Sequence, residues 1–191
     1  MKNKMLFAAA AALVLAVGTA KASNIWDDPN GWRSGLFSAP TNGAFFNPQE
    51  LQLDLFGSYD NPEPRLPKLF DSDIRHGAWG GGVGLNYFLS QNIGLGGDVN
   101  LADSQSARLV THAVGDVLFR FPLGNSPIAP YAIASGGRAF VPAWDWVYGG
   151  GGGLEVRLSG QLALFGDARY LWSYRSDGDR LLLRTGLRIV F

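Results

Sequence analysis

The sequence predicts an all-β protein: an eight-stranded antiparallel up-and-down transmembrane β-barrel. Three observations predict it. Composition is the first: 26 glycines in 191 residues, 12 Phe, 6 Trp and 6 Tyr, with only 17% charged residues. That glycine share is about twice the usual ~7%. The second is a run of period-2 segments separated by turn residues, with no useful helical stripe between them. The third is the character of the two faces. Large apolar side chains collect on one, glycine and charge on the other.

The chain opens with an address. Lys2 and Lys4 precede the apolar run from Met5 to Val17, and Ala20-Lys21-Ala22 forms a cleavage site before Ser23. We read residues 1–22 as a secretory signal peptide, whose apolar core is too short for a membrane-spanning helix. Residues 23–49 hold Trp26, Trp32, Phe37, Phe45 and Phe46 without sustained period. They read as an irregular N-terminal extension, either docked under the barrel or a tail. The barrel occupies 50–191. Cysteine is absent, which excludes disulfides and thiol chemistry. Sixteen basic residues balance sixteen acidic ones, so no basic field invites nucleic acid.

Eight segments follow in order, at about 50–59, 75–89, 93–102, 108–121, 131–138, 145–158, 161–174 and 181–191. Short turns fall at Ser90-Gln91-Asn92 and Ser159-Gly160, with a Pro/Gly turn from Pro122 to Pro130. The other connections lie near 60–74, 103–107, 139–144 and 175–180. In the second segment Trp79, Val83, Leu85, Tyr87 and Leu89 oppose Gly80, Gly82, Gly84 and Asn86. In the third, Ile93, Leu95, Val99 and Leu101 oppose Gly94, Gly96, Asp98 and Asn100. In the fourth, Leu109, Ala113, Val117, Phe119 and Phe121 oppose His112, Asp116 and Arg120. In the sixth, Trp146, Tyr148, Leu154, Val156 and Leu158 oppose Gly149, Gly151, Gly153, Glu155 and Arg157. In the seventh, Leu162, Leu164, Tyr170 and Trp172 oppose Asp167 and Arg169. In the eighth, Leu183, Leu187, Ile189 and Phe191 oppose Arg184, Gly186 and Arg188.

A small barrel cannot hold that many Trp and Phe inside. Glycine on its outside would weaken strands with no gain in packing. Turning the large residues to lipid and the small ones inward resolves both difficulties. Aromatic positions agree. Trp79, Trp146, Tyr148, Tyr170 and Trp172 fall toward one rim; Tyr87, Phe119, Phe121, Tyr131 and Phe191 fall toward the other. Trp79 and Tyr87 are separated by roughly 20 Å of membrane normal at about 3.3 Å per residue and a tilt near 40°.

This pattern resembles the small eight-stranded outer-membrane barrels of Gram-negative bacteria, the class of the OmpA transmembrane domain, OmpX and opacity-type proteins. The most specific element is the C-terminal strand Arg184-Thr185-Gly186-Leu187-Arg188-Ile189-Val190-Phe191. It is similar to the assembly signal of that class at Arg184, Gly186, Ile189 and Phe191. The resemblance implies location in the outer membrane and recognition by the barrel-assembly machinery. It also implies contact with membrane lipid and lipopolysaccharide, termini and short turns on the periplasmic side, and a monomer.

Twelve charges are expected inside: Glu50, Asp54, Asp98, Asp116, Arg120, Arg138, Glu155, Arg157, Asp167, Arg169, Arg184 and Arg188, most of them in the periplasmic half. Equal numbers of each sign favour a paired plug over a charged pore lining. Arg157 with Asp167, or Glu155 with Arg169, are the cross-strand pairs expected. His76 and His112 share the inward face near the outer mouth, with Asp73 and Asp103 nearby. They lack a metal-ligand spacing, so no metal and no cofactor is expected. The glycine runs 80–84 and 149–153 lack the strand-to-helix setting of a phosphate loop. Lipid-facing hydroxyls are expected at Thr111, Ser135 and Thr185, none sharing a face with a histidine. The function expected is therefore non-enzymatic, structural or surface-interacting, with no catalytic residue. A narrow channel for ions or small solutes, and a lipid A-modifying enzyme, are the alternatives.

Overall fold

A computed structural model describes residues 44–62, 77–102, 110–140, 144–174 and 179–191. The segments expected as signal peptide and most of the N-terminal extension lie outside the described residues, as do His76, Asp73, Asp103 and Leu109. Eight strands are present: β1 (Glu50–Pro62), β2 (Ala78–Phe88), β3 (Ile93–Ala102), β4 (Val110–Arg120), β5 (Ile128–Ala139), β6 (Asp145–Arg157), β7 (Leu162–Ser173) and β8 (Arg180–Val190). Each pairs antiparallel with its neighbours in sequence. β1 pairs with β8 from Gln52↔Val190 to Pro62↔Arg180, which closes the barrel. Closure leaves no edge strand, the condition for a sheet to stand in lipid. An eleven-residue strand tilted near 40° rises roughly 28 Å, about the apolar thickness of a bilayer.

The short turns are built by serine. Ser90 Oγ accepts from the backbone N–H of Asn92 (3.3 Å) and Ile93 (3.1 Å). Ser159 Oγ accepts in the same way from Gln161 (3.2 Å) and Leu162 (3.1 Å). A side-chain oxygen thus replaces the carbonyl that a backbone turn would supply. The third turn uses Gly124 at φ 59, while β5 begins earlier than expected, so that Pro130 lies within it. Pro130 is near the strand end, and its carbonyl accepts from Phe121 N.

The outer wall is apolar. Trp79 is 75% exposed, and Val83, Leu89, Leu95, Phe121, Trp146, Tyr148, Leu154, Leu158 and Trp172 are exposed with it. Aromatics ring one rim, where Tyr148 packs on Trp172 (5.9 Å) and Tyr170 on Trp172 (5.1 Å). Water would penalise such a surface; lipid does not. Glycine serves both faces. Inward Gly149 and Gly151 sit so close to β7 that a Cβ would fall 1.9 Å from Tyr170 O and 2.0 Å from Ala168 O. Outward Gly136 meets nothing within 4 Å.

Candidate functional site: the charged lumen

Even-numbered positions of β1, β2, β3, β4 and β8 and odd-numbered positions of β5, β6 and β7 point inward. The pleat therefore turns every second residue to the lumen, where charges and amides alternate with glycines and a few apolar side chains. The side chains meet in three tiers. Nearest the short turns, Arg120 Nη1 donates to Glu50 Oε2 (3.0 Å). Arg157 Nη2 donates to the same oxygen (2.7 Å), while its Nε reaches Glu155 Oε1. Arg188 spans upward from this tier. Its Nη1 donates to Glu155 Oε2 (2.6 Å), and Nε and Nη2 clamp the two oxygens of Asp54 (both 2.7 Å). Asn86 Nδ2 adds a further donor to Asp54 (2.9 Å).

The middle tier turns on two arginines that share an aspartate. Arg169 Nη1 donates to Asp98 Oδ2 (2.9 Å) and Asp116 Oδ2 (3.0 Å). Arg184 Nη1 donates to the same Asp98 oxygen (2.6 Å) and holds Asp167 through Nε (2.9 Å) and Nη2 (2.7 Å). Ser135 Oγ donates to Asp116 (2.6 Å), and the Tyr131 hydroxyl donates to Asp167 (2.9 Å). In the outer tier Arg180 Nη1 donates to Asp60 Oδ2 (2.9 Å). Ser58 Oγ donates to Asn100 Oδ1 (2.6 Å), and Asn100 Nδ2 to Thr111 Oγ1 (3.0 Å). His112 sits beside Thr111, with Nδ1 3.3 Å from its hydroxyl oxygen and 3.9 Å from Asp60 Oδ2.

These groups are dry. The side chains of Arg120, Arg157, Glu155 and His112 are 0% exposed, those of Arg188 and Arg169 1% and 2%. Buried guanidinium and carboxylate are tolerable because each of these guanidinium groups donates to at least one carboxylate at 3.0 Å or less. Rings finish the packing. Arg120 lies 3.8 Å over Phe88, Arg184 4.6 Å over Phe56 and Arg188 4.7 Å over Phe165. Below the lowest tier the chain before β1 turns under the barrel. Phe46, 3% exposed, presents its ring to Arg120 (4.8 Å) and Arg157 (4.9 Å).

Eleven of the twelve expected lumen charges lie in this network: Glu50, Asp54, Asp98, Asp116, Arg120, Glu155, Arg157, Asp167, Arg169, Arg184 and Arg188. Arg138 does not. It opposes Ala113 and Trp146 on the outer wall, and its guanidinium stacks on the Trp146 ring at 4.4 Å. The reason is the register of β5, which pairs Ser135 with Asp116 and so turns odd positions inward. The same register corrects two further expectations: Ser135 and Tyr131 belong to the lumen, not to the lipid face or the girdle. Thr111 also turns inward, because a bulge at Asn100/Leu101 shifts the β3–β4 register beside it. Thr185 does face out, donating to Phe165 O (3.1 Å).

The charges fill the height of the barrel rather than one half of it, and neither expected cross-strand pair forms. Arg157 opposes Ala163 and Arg169 opposes Gly151. The neighbouring-strand pairs that form are Asp54 with Arg188 and Asp167 with Arg184, while Arg120 and Arg157 reach Glu50, and Arg169 reaches Asp98, across the lumen. Sequence reasoning also missed Asp60, Arg180, Ser58, Gln52 and Phe88, all buried. Asp60 and Arg180 sat in presumed loops. Parity was the available signal: Asp60 continues the Glu50, Asp54, Ser58 series, and Arg180 the Arg184, Arg188 series.

No protein-family profile and no curated protein matches this chain. Solved structures do. The N-terminal β-barrel domain of Pseudomonas aeruginosa OprF superposes with a TM-score of 0.52 at 12% identity, covering 76% of this chain and 99% of that one. This chain has the fold of the small outer-membrane barrels. Neisserial surface protein A matches with a TM-score of 0.50 at 13% identity over 74% of this chain and 96% of its own. Outer membrane protein H (OprH) of P. aeruginosa matches with 0.50 at 14% identity over 74% and 99%.

Proposed function

We propose that this is a non-enzymatic barrel of the bacterial outer membrane with a closed, charge-paired lumen, acting as a structural or surface-interacting element. One observation carries the closed reading: six arginines fill the lumen, each within 3.0 Å of a carboxylate oxygen, and their side chains are at most 4% exposed. An ion would have to break several such pairs in a solvent-poor interior. Phe46 adds a hydrophobic stopper at the short-turn end.

The outer-membrane location is supported by the apolar wall, the two aromatic rims and the likeness of fold to outer-membrane barrels. The non-enzymatic reading is supported by the outer wall. Among the described strand residues its outward positions carry no His, Asp, Glu or Lys, and two of the three hydroxyls expected there are inside. Secretion by residues 1–22 and assembly through Arg184, Gly186, Ile189 and Phe191 complete the proposal. Arg184 and Gly186 have structural duties besides. Arg184 ties Asp98 to Asp167, and a Cβ at Gly186 would lie 2.0 Å from Leu55 O at the closing seam. Planar-bilayer recording on the refolded mature protein tests the closed lumen. No discrete conductance is expected. Reproducible single-channel steps that change in Arg169→Ala would replace this reading with the narrow channel.

A further inference from the structure

Arg138 is the one charge on the outward wall among the described strand residues, and no described carboxylate pairs with it. Its place is specific. It is the penultimate residue of β5 and opposes Trp146, the second residue of β6, so it lies at the depth of the aromatic rim at the long-loop end. Interfacial aromatics mark the headgroup region of a bilayer. A guanidinium seated 4.4 Å from the centroid of an exposed indole there stands at the depth of anionic headgroups.

The wall beneath it is hollow. Two residues down β5, on the same face, Gly136 pairs with Gly115, which pairs in turn with Gly97. Leu95, Val117 and Ala134 flank Gly115 and Gly136, and together they enclose a shallow groove of about 500 Å³. On β1, β2 and β8 bulky side chains stand at this belt, at Leu55, Val83 and Leu187. A cation at headgroup depth above an apolar trough at acyl depth matches a lipid that has phosphate above its chains. The rim concerned is the one facing outward under the proposed topology, and the outer leaflet of such a membrane is built of phosphorylated glycolipid.

We propose that Arg138, Trp146 and the groove floored by Gly115 and Gly136 form a lipid A site, with the guanidinium on a lipid phosphate and an acyl chain in the trough. The site rests on the outer-membrane reading for its ligand. The guanidinium presents a planar fork of donors suited to phosphate, and the indole fixes its orientation. The glycines let the chain lie against backbone.

The test is lipid binding by the refolded mature protein in detergent micelles, measured by native mass spectrometry and by thermal stabilisation. Three probes are used: phosphorylated lipid A, its dephosphorylated form, and phosphatidylglycerol. Lipid A is expected to bind more tightly than either of the others. Arg138→Ala should weaken it about tenfold, the scale of one charge-assisted contact, and leave the dephosphorylated form unaffected. Gly136→Leu should weaken both forms of lipid A by filling the trough. It should still fold, since nothing lies within 4 Å of a Cβ at that position. Equal lipid A affinity in wild type and Arg138→Ala would overturn the site. So would phosphatidylglycerol binding as tightly as lipid A, or a change of oligomeric state in Gly136→Leu. Because binding is read in micelles, failure here is separable from failure of the closed outer-membrane reading, which membrane fractionation and conductance test.

Discussion

Replacing Arg188 by Met should expose how the lumen is held together. Arg188 joins Asp54 of β1 to Glu155 of β6 through three donors at 2.6–2.7 Å, in a setting where its side chain is 1% exposed. Removing it leaves Asp54 with Asn86 as its remaining hydrogen-bond partner and Glu155 with Arg157. An orphaned buried charge costs about 3–5 kcal/mol. Asp54→Leu does the converse, leaving Arg188 with Glu155 alone and Asn86 Nδ2 without its acceptor, a loss of about 2–4 kcal/mol. The double variant removes both ends of the clamp and orphans only Asn86, so it should lose about 1–3 kcal/mol. The coupling energy is then at least ~2 kcal/mol, well above the additivity error of distant sites. Urea titration of lipid-refolded protein, followed by Trp fluorescence, measures all four corners of the cycle. The coupling should also change little between low and high salt, since buried pairs are weakly screened. Single losses below about 1 kcal/mol that add in the double variant and shrink with salt would refute the dry, paired lumen and point to a hydrated one.

Gly151→Ala should destabilise by about 1–3 kcal/mol or more in the same titration, because its Cβ would press on Ala168 O at 2.0 Å; Gly136→Ala should be neutral or slightly stabilising. Val83→Arg, at the middle of β2 on the outer wall, should cost about 2–4 kcal/mol, and Leu95→Arg, two residues from the start of β3, clearly less. Equal costs would contradict the depth assigned to these strands. Deleting Phe191 should leave secretion intact and lower the yield of the heat-modifiable folded band on gels. An unchanged yield would remove Phe191 from the assembly signal, leaving it only its backbone bond to Leu51 O (2.9 Å) and its place on the outer wall.

The strands were legible because a lipid-facing barrel writes its periodicity into the chain. Every second residue must be apolar outside, while the lumen accepts glycine and charge, so Ile93–Ala102 and the faces of β2, β6, β7 and β8 follow from alternation alone. Serine and glycine at the tight turns located the hairpins for the same local reason. β5 failed because its rows are inverted in character. Tyr131, Ile133 and Ser135 face in while Ala132, Ala134, Gly136 and Arg138 face out, so polarity pointed the wrong way. Only hydrogen-bond register to Asp116 and Trp146 decides that face, and register belongs to the assembled sheet. The inward set of charges was therefore largely determined by sequence, but their partners were not. Arg188 reaches Asp54 across 134 residues and Arg157 reaches Glu50 across 107. Which guanidinium meets which carboxylate depends on strand tilt and on where β8 closes against β1, quantities that no local stretch of sequence contains.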